Sequence, residues 1–134
     1  MNDFVYEAGT AVEFRAFHIM QGMPPPEGER HSHDYRLDVV TSRADLDDRG
    51  MVVDLDLLDG ALRRLAELLD GADLDDVVGA HIGGDSVTVE AFARWLHGEI
   101  GRALGTSPGT TLAVRVWESP VAFGGYRGPL DNSR

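Results

Sequence analysis

The chain has 134 residues, a formal net charge of −11, twelve basic residues that are all arginine, and no cysteine. That length suits a single domain with one hydrophobic core, and a composition of 43% hydrophobic and 26% charged residues excludes a disordered or fibrous chain. The acid excess excludes the basic footprint of a nucleic-acid partner, and the missing cysteines exclude disulfides, thiolate metal sites and a thiol nucleophile.

Met1 to Glu7 has no basic region leading into an apolar run, and nothing approaches the roughly 20 apolar residues of a membrane span, so no membrane partner and a cytoplasmic location are the expectation. An acidic chain that takes an anionic substrate would need a locally positive group, such as a metal ion.

From Val12 to Met20, Val12, Phe14, Ala16, His18 and Met20 alternate onto one face, which predicts a strand carrying His18 in an otherwise apolar row. Gln21 to Arg30 holds Gly22, Pro24, Pro25, Pro26 and Gly28 and reads as a loop. A second strand starts at His31, with His31, His33, Tyr35, Leu37 and Val39 on one side, antiparallel to the first through the proline loop. Asp47-Asp48-Arg49-Gly50 is a turn, and Met51 to Asp54 extends or finishes the strand region.

Leu57, Leu58, Ala61, Leu62, Leu65, Leu68 and Leu69 recur at helical spacing, which predicts an amphipathic helix over Leu55 to Leu69. Asp70 to Asp85 reads as a long loop with an apolar interruption at Val77 and Val78. A second helix runs from about Thr88 to Leu104, capped by Ser86 or Thr88, with Val89, Phe92, Leu96 and Ile100 buried. Thr111 to Trp117 and a shorter stretch at Val121 to Tyr126 complete the strands, with a frayed tail after Gly128. The expected class is α+β in the order ββααββ, as one domain over residues 1–134.

His31 and His33, at i and i+2 on a strand, project to one face about 7 Å apart. The proline loop brings the end of the first strand beside the start of the second, so His18 joins them. Three neutral imidazoles with an open fourth position make the ligand set of a catalytic zinc ion. The bland alternative is a His-x-His pair without metal. His97 reads as a surface or partly packed helix residue, and His81 as a loop residue that reaches a site or has no role.

The run Phe17 to Met20, His-Ser-His-Asp-Tyr at His31 to Tyr35 and Gly-Met-Val-Val-Asp-Leu at Gly50 to Leu55 resembles the 6-pyruvoyl-tetrahydropterin and 6-carboxy-tetrahydropterin synthases. Leu68 to Asp70, Val87 to Ala93 and Trp117 to Ser119 resemble three further motifs of that family, in order over nearly the whole chain. The resemblance implies the tunnelling fold: a four-stranded antiparallel sheet with two helices on one face, trimerising into a barrel and stacking as a homohexamer. It also implies Zn2+ on His18, His31 and His33, a small pterin-like substrate held at its guanidine-like edge by Glu118, and Thr88 and Glu90 near the same pocket. Thr88 and Glu90 read equally well as helix-capping residues.

The two positions that carry the family's chemistry depart from its pattern, and Val87 and Ala91 depart as well, where the family has proline and asparagine. Glu27 stands where the family has its cysteine, and Gly71 stands where it has the histidine partner of Asp70. Members with glutamate at that point imply an acid/base role for Glu27, with Asp70 retained from the relay, in a lyase acting on a pterin such as dihydroneopterin triphosphate. Glu29 is the competing carboxylate. A related zinc enzyme with a non-pterin substrate and a non-catalytic zinc-binding homologue are the alternatives.

Overall fold

The structure is a computed structural model that describes residues 4–84 and 86–130. Four strands form one antiparallel sheet in chain order: β1 (Tyr6–His18), β2 (His31–Arg43), β3 (Thr111–Trp117) and β4 (Phe123–Pro129). Helix α1 (Leu55–Leu69), a short helix α2 (Leu74–Val77), a 3-10 turn at Gly79–His81 and helix α3 (Val89–Leu104) lie between β2 and β3. The fold is the expected α+β arrangement of a four-stranded antiparallel sheet and two long helices, with α2 as a third helix. No helix among the described residues is long and apolar enough to cross a membrane.

Alternation sets the core. Phe14, Ala16 and His18 of β1, Tyr35, Leu37, Val39 and Thr41 of β2, and Leu112, Val114 and Val116 of β3 are buried on one face. Against them pack Leu58, Leu62, Leu65 and Leu69 of α1 and Phe92, Leu96 and Ile100 of α3. Each such fully buried side chain contributes about 1.5–3 kcal/mol from area removed from water. Asp54 starts α1 by accepting from the Asp56 and Leu57 N–H groups. Thr88 starts α3 by accepting from Ala91 N–H. Ser86 is not a cap: its hydroxyl accepts from Gln21 N–H at 2.9 Å and ties the proline loop to the approach to α3.

Several boundaries differ from the sequence reading. β1 begins at Tyr6 rather than Val12 and ends at His18, because backbone pairing with β2 runs from Tyr6↔Arg43 to His18↔His31 whatever the side chains' polarity. Met51 to Asp54 adds no strand. Asp47 closes the preceding turn by accepting from Arg49 and Met51 N–H, which holds its carboxyl below the usual range, and Gly50 takes the positive φ of 78° that the turn requires. β4 extends to Pro129, and Leu130 is buried, so the chain is ordered two residues past Gly128; residues 131–134 of the expected frayed tail lie outside the described residues. So does Asp85 of the expected loop.

The face of the sheet away from the helices carries charge. Arg15 and Asp34 are direct cross-strand partners and join through two contacts of 2.7 and 3.1 Å. Arg36 reaches Asp38 at 3.1 Å, and Asp38 also accepts from the Trp117 indole N–H at 2.8 Å.

Candidate metal centre and pocket

The β1–β2 register puts His18 directly opposite His31 and Ala16 opposite His33, so the three imidazoles meet at the strand ends that the proline loop joins. Their ring centroids are 4.5 Å (His18 to His31), 5.2 Å (His18 to His33) and 4.9 Å (His31 to His33) apart. One ring nitrogen from each lies within 4.8 Å of the others. Tyr35 floors the cluster, its ring 5.4 Å from His33, and burial pushes its phenol pKa up so that it stays neutral.

Two carbonyls decide the tautomers. His18 Nδ1 lies 3.1 Å from the Val87 carbonyl and His31 Nδ1 lies 2.8 Å from the Glu29 carbonyl. A carbonyl only accepts, so each Nδ1 carries the proton and each Nε2 presents a lone pair. Both Nε2 atoms are buried with no hydrogen-bond partner among the described residues. Two orphaned buried acceptors aimed into one cluster cost stability unless something binds them. The donor set therefore fits a metal ion held by three neutral imidazoles.

Burial lowers the pKa of His18, with His31 and His33 opposing its charging further. It also lowers that of His33, against the pull of Glu118, whose carboxylate lies 3.7 Å away. Between the unperturbed value of about 6.5 and these lower folded values the unfolded chain binds more protons, so stability rises with pH through that window and is complete above it. The expected result is that metal-free protein loses resistance to urea between pH 7 and 5.5, well before its carboxylates titrate; an unfolding midpoint constant over that range would show the rings to be solvated.

A segment read as loop braces this cluster. Past α1, Asp70 accepts from Arg15 N–H at 3.0 Å, Gly71 N–H donates to Arg15, and Phe17 N–H donates to Ala72 at 2.8 Å, which covers the edge of β1. Asp73 pairs with Arg30 at 2.7 Å, the residue before His31, and the Arg30 guanidinium lies 3.9 Å from the Phe17 ring centre. Asp75 accepts from Ile19 N–H at 2.9 Å, the residue after His18. Sequence reasoning missed Asp73 and Asp75 because a four-residue helix is too short to show a period. Removing the brace in Asp75→Ala should weaken metal binding about tenfold, with the acceptor-retaining Asp75→Asn between it and the native protein, in a competition titration against a chromogenic chelator.

The expected site residues separate into two groups. Glu118, at the end of β3, stands beside His33, and the charge of Glu27 bears on His33 from the proline loop. Thr88 follows the carbonyl that orients His18, and its hydroxyl is engaged as the cap of α3. Asp70 is committed to the β1 edge. Glu90 lies with His81, Arg94, Trp95 and Tyr126 along a groove between α3 and β4, apart from the three-histidine cluster. His97 is partly packed, 3.3 Å from the Gly128 carbonyl. Gly28, next to Glu27, leaves no room for a side chain, since a Cβ there would run into the Met23 carbonyl.

Beside His33 and Glu118 opens a cavity of about 630 Å³ walled by Trp117, Glu13, Asp34 and Arg36. The sequence pattern of 6-pyruvoyl tetrahydropterin synthase matches residues 9–129, which is most of the chain. The chain belongs to the 6-pyruvoyl tetrahydropterin synthase family. Solved structures agree on the fold. The 6-pyruvoyl tetrahydropterin synthase of Caenorhabditis elegans is 18% identical over 92% of this chain and 96% of its own, with a TM-score of 0.71. That of Plasmodium vivax is 13% identical over 95% and 99%, with a TM-score of 0.73, and is also known as a variant with alanine in place of a glutamate described as a catalytic residue. An uncharacterised protein of Wolinella succinogenes is 16% identical over 92% and 98%, with a TM-score of 0.66. No curated protein sequence matches the chain.

Proposed function

We propose that this protein is a zinc-dependent lyase of the pterin synthase type, with His18, His31 and His33 holding Zn2+, Glu118 anchoring the ring of a pterin and Glu27 moving a proton. The observation that carries the reading is the pair of buried, partnerless Nε2 atoms converging with His33 beside a carboxylate-walled cavity. When bound, zinc supplies a Lewis acid that polarises a substrate hydroxyl or carbonyl.

The chain's own residues do the rest. Glu118 accepts two parallel N–H bonds from a guanidine-like ring edge, which fixes the ring and leaves its side chain toward the histidines. Glu27 stands on a loop held by the bond from Met20 N–H to its own carbonyl, 2.8 Å, and by the Gly28 and Glu29 N–H bonds to Pro24 and Pro26. A carboxylate so placed would take the proton of a side-chain hydroxyl, whose collapse to a carbonyl breaks the neighbouring C–C bond and releases an aldehyde fragment, and would return that proton to the carbon left on the ring. The catalytic glutamate described for the Plasmodium vivax relative supports a glutamate in this role, and the charge of Glu27 bearing on His33 favours Glu27 over Glu29. Asp70 supports the β1 edge rather than the proton path. The uncovered edge of β4 and the charged face of the sheet support assembly as a homotrimer or homohexamer, and an intracellular, cytoplasmic setting suits a cysteine-free pterin enzyme.

The test is to incubate zinc-loaded protein with reduced neopterins, phosphorylated and not, and to look for 6-hydroxymethyl-dihydropterin or 6-carboxy-tetrahydropterin. Formation of either supports the reading; the absence of both from fully metallated protein removes it.

A further inference from the structure

His18 owes its orientation to a carbonyl, and that carbonyl is carried by the start of a helix. Three consecutive residues at the entry to α3 each make one bond. The Ser86 hydroxyl accepts from Gln21 N–H at 2.9 Å, the Val87 carbonyl accepts from His18 Nδ1–H at 3.1 Å, and the Thr88 hydroxyl accepts from Ala91 N–H at 3.1 Å. The Thr88 carbonyl also accepts from Phe92 N–H at 2.9 Å, and the Val87 side chain is buried. With Thr88 tied twice to the first turn, the Val87 carbonyl follows wherever that turn sits.

What seats the turn is a bare point on β4. Gly124 is buried on the helix side of the sheet, opposite Val116, in extended backbone that any residue adopts. Space alone demands glycine there. A Cβ would lie 2.6 Å from Val89 Cγ2 and 3.0 Å from both Glu90 N and the Val89 carbonyl carbon. Carbon atoms pack at about 3.5–4.0 Å, so the closest contact is short by about 1 Å. Val89 does not turn away, because a β-branched side chain in a helix has one strongly favoured rotamer, and the other two atoms are backbone. The strand is pinned by its ladder to β3 and by the Glu118 N–H bond to the Ala122 carbonyl, 3.0 Å, that closes the turn before it. The start of α3 therefore yields. A hydrogen bond of 3.1 Å tolerates a shift of about half an ångström before its geometry fails. We propose that Gly124 is a positioning residue for His18, acting through Val89 and the Val87 carbonyl to hold the ring as its Nδ1–H tautomer with Nε2 free to bind. The inference rests on the metal-ligand reading of the three histidines and adds a residue that lies outside them.

Proton–nitrogen correlation NMR of the ring nitrogens, on the metal-free full chain at about pH 8, above the imidazole range, reads each histidine's tautomer. A chelator competition reads zinc affinity on the same samples. In Gly124→Ala the His18 ring should become a mixture of tautomers and zinc affinity should fall about tenfold. His31 should keep its tautomer, since its Nδ1 is held by the Glu29 carbonyl on the proline loop. Adding Val89→Ala removes the 2.6 Å contact and leaves the two at 3.0 Å. The double variant should therefore recover to within about threefold of native affinity, half of the single variant's loss in free energy. If Gly124→Ala does not fold, the double variant carries the test, with that partial loss expected and native values overturning the proposal. An unchanged His18 tautomer and native zinc affinity in folded Gly124→Ala would overturn it, as would His18 and His31 changing together, the mark of a general loosening. A native chain that binds no zinc would overturn the zinc reading alone, because the tautomer comparison in metal-free protein still decides the role of Gly124.

Discussion

His31→Ala should lose the metal and yet leave the metal-free domain at least as stable as the native one. The two effects have opposite sign because the same atom causes both. His31 Nε2 is one of three converging lone pairs, so its removal leaves two ligands where three were. One third of a typical protein–zinc binding free energy of about 10–16 kcal/mol is about 3–5 kcal/mol, a loss of at least about a hundredfold in affinity. In the metal-free chain, however, that Nε2 is buried without a partner among the described residues. An unsatisfied buried polar atom costs about 1–3 kcal/mol, and alanine abolishes the cost at the price of one hydrogen bond from Nδ1 to the Glu29 carbonyl, worth about 1 kcal/mol. Metal analysis of dialysed protein, with thermal melts in chelator and in added zinc, checks both halves. A variant that keeps stoichiometric metal refutes the ligand assignment. One that loses metal and also melts several degrees lower in chelator shows that His31 supports the fold instead.

The histidine cluster was legible because period-two alternation is the most local of signals: His18 shares a face with Phe14 and Ala16, and His31 and His33 share one with Tyr35, so a hairpin through the proline loop brings the three together. What alternation does not carry is register and short structure. The Arg15–Asp34 pair, nineteen positions apart, follows only once His18 is opposite His31. The brace from Asp70 to Asp75 bonds through backbone groups and through carboxylates on and just before a helix of four residues, none of which leaves a periodic trace. The expected loop over residues 70–85 read correctly as polar and glycine-rich, but Leu74 and Val78 within it are fully buried and make it part of the core. Glu118 beside His33 depended on the family resemblance, since nothing about the end of a strand distinguishes a ligand-holding glutamate from a solvated one.

Glu27→Ala should abolish turnover while the zinc stays bound, and this separation is what distinguishes a proton-transfer group from a metal ligand. Glu27 is not among the residues whose donor atoms converge; its charge reaches the cluster through its effect on His33. General acid–base catalysis by a positioned carboxylate is worth about 10²–10⁴ in rate, so kcat should fall by at least a hundredfold with metal content unchanged. The loop itself should survive, because it is held by backbone bonds between Met20 and Glu27, Pro24 and Gly28, and Pro26 and Glu29 rather than by the Glu27 carboxylate. Glu29→Ala is the control: it keeps the carbonyl that orients His31 and removes only an exposed side chain, so kcat should stay within about twofold of native. A reversal of the two outcomes would transfer the proton-moving role to Glu29, and full activity in both variants would take it off the proline loop altogether. Glu27→Gln sharpens the test further, since the amide keeps size and hydrogen bonding but neither accepts nor returns a proton at working pH, and it should be as inactive as the alanine variant while leaving KM near native.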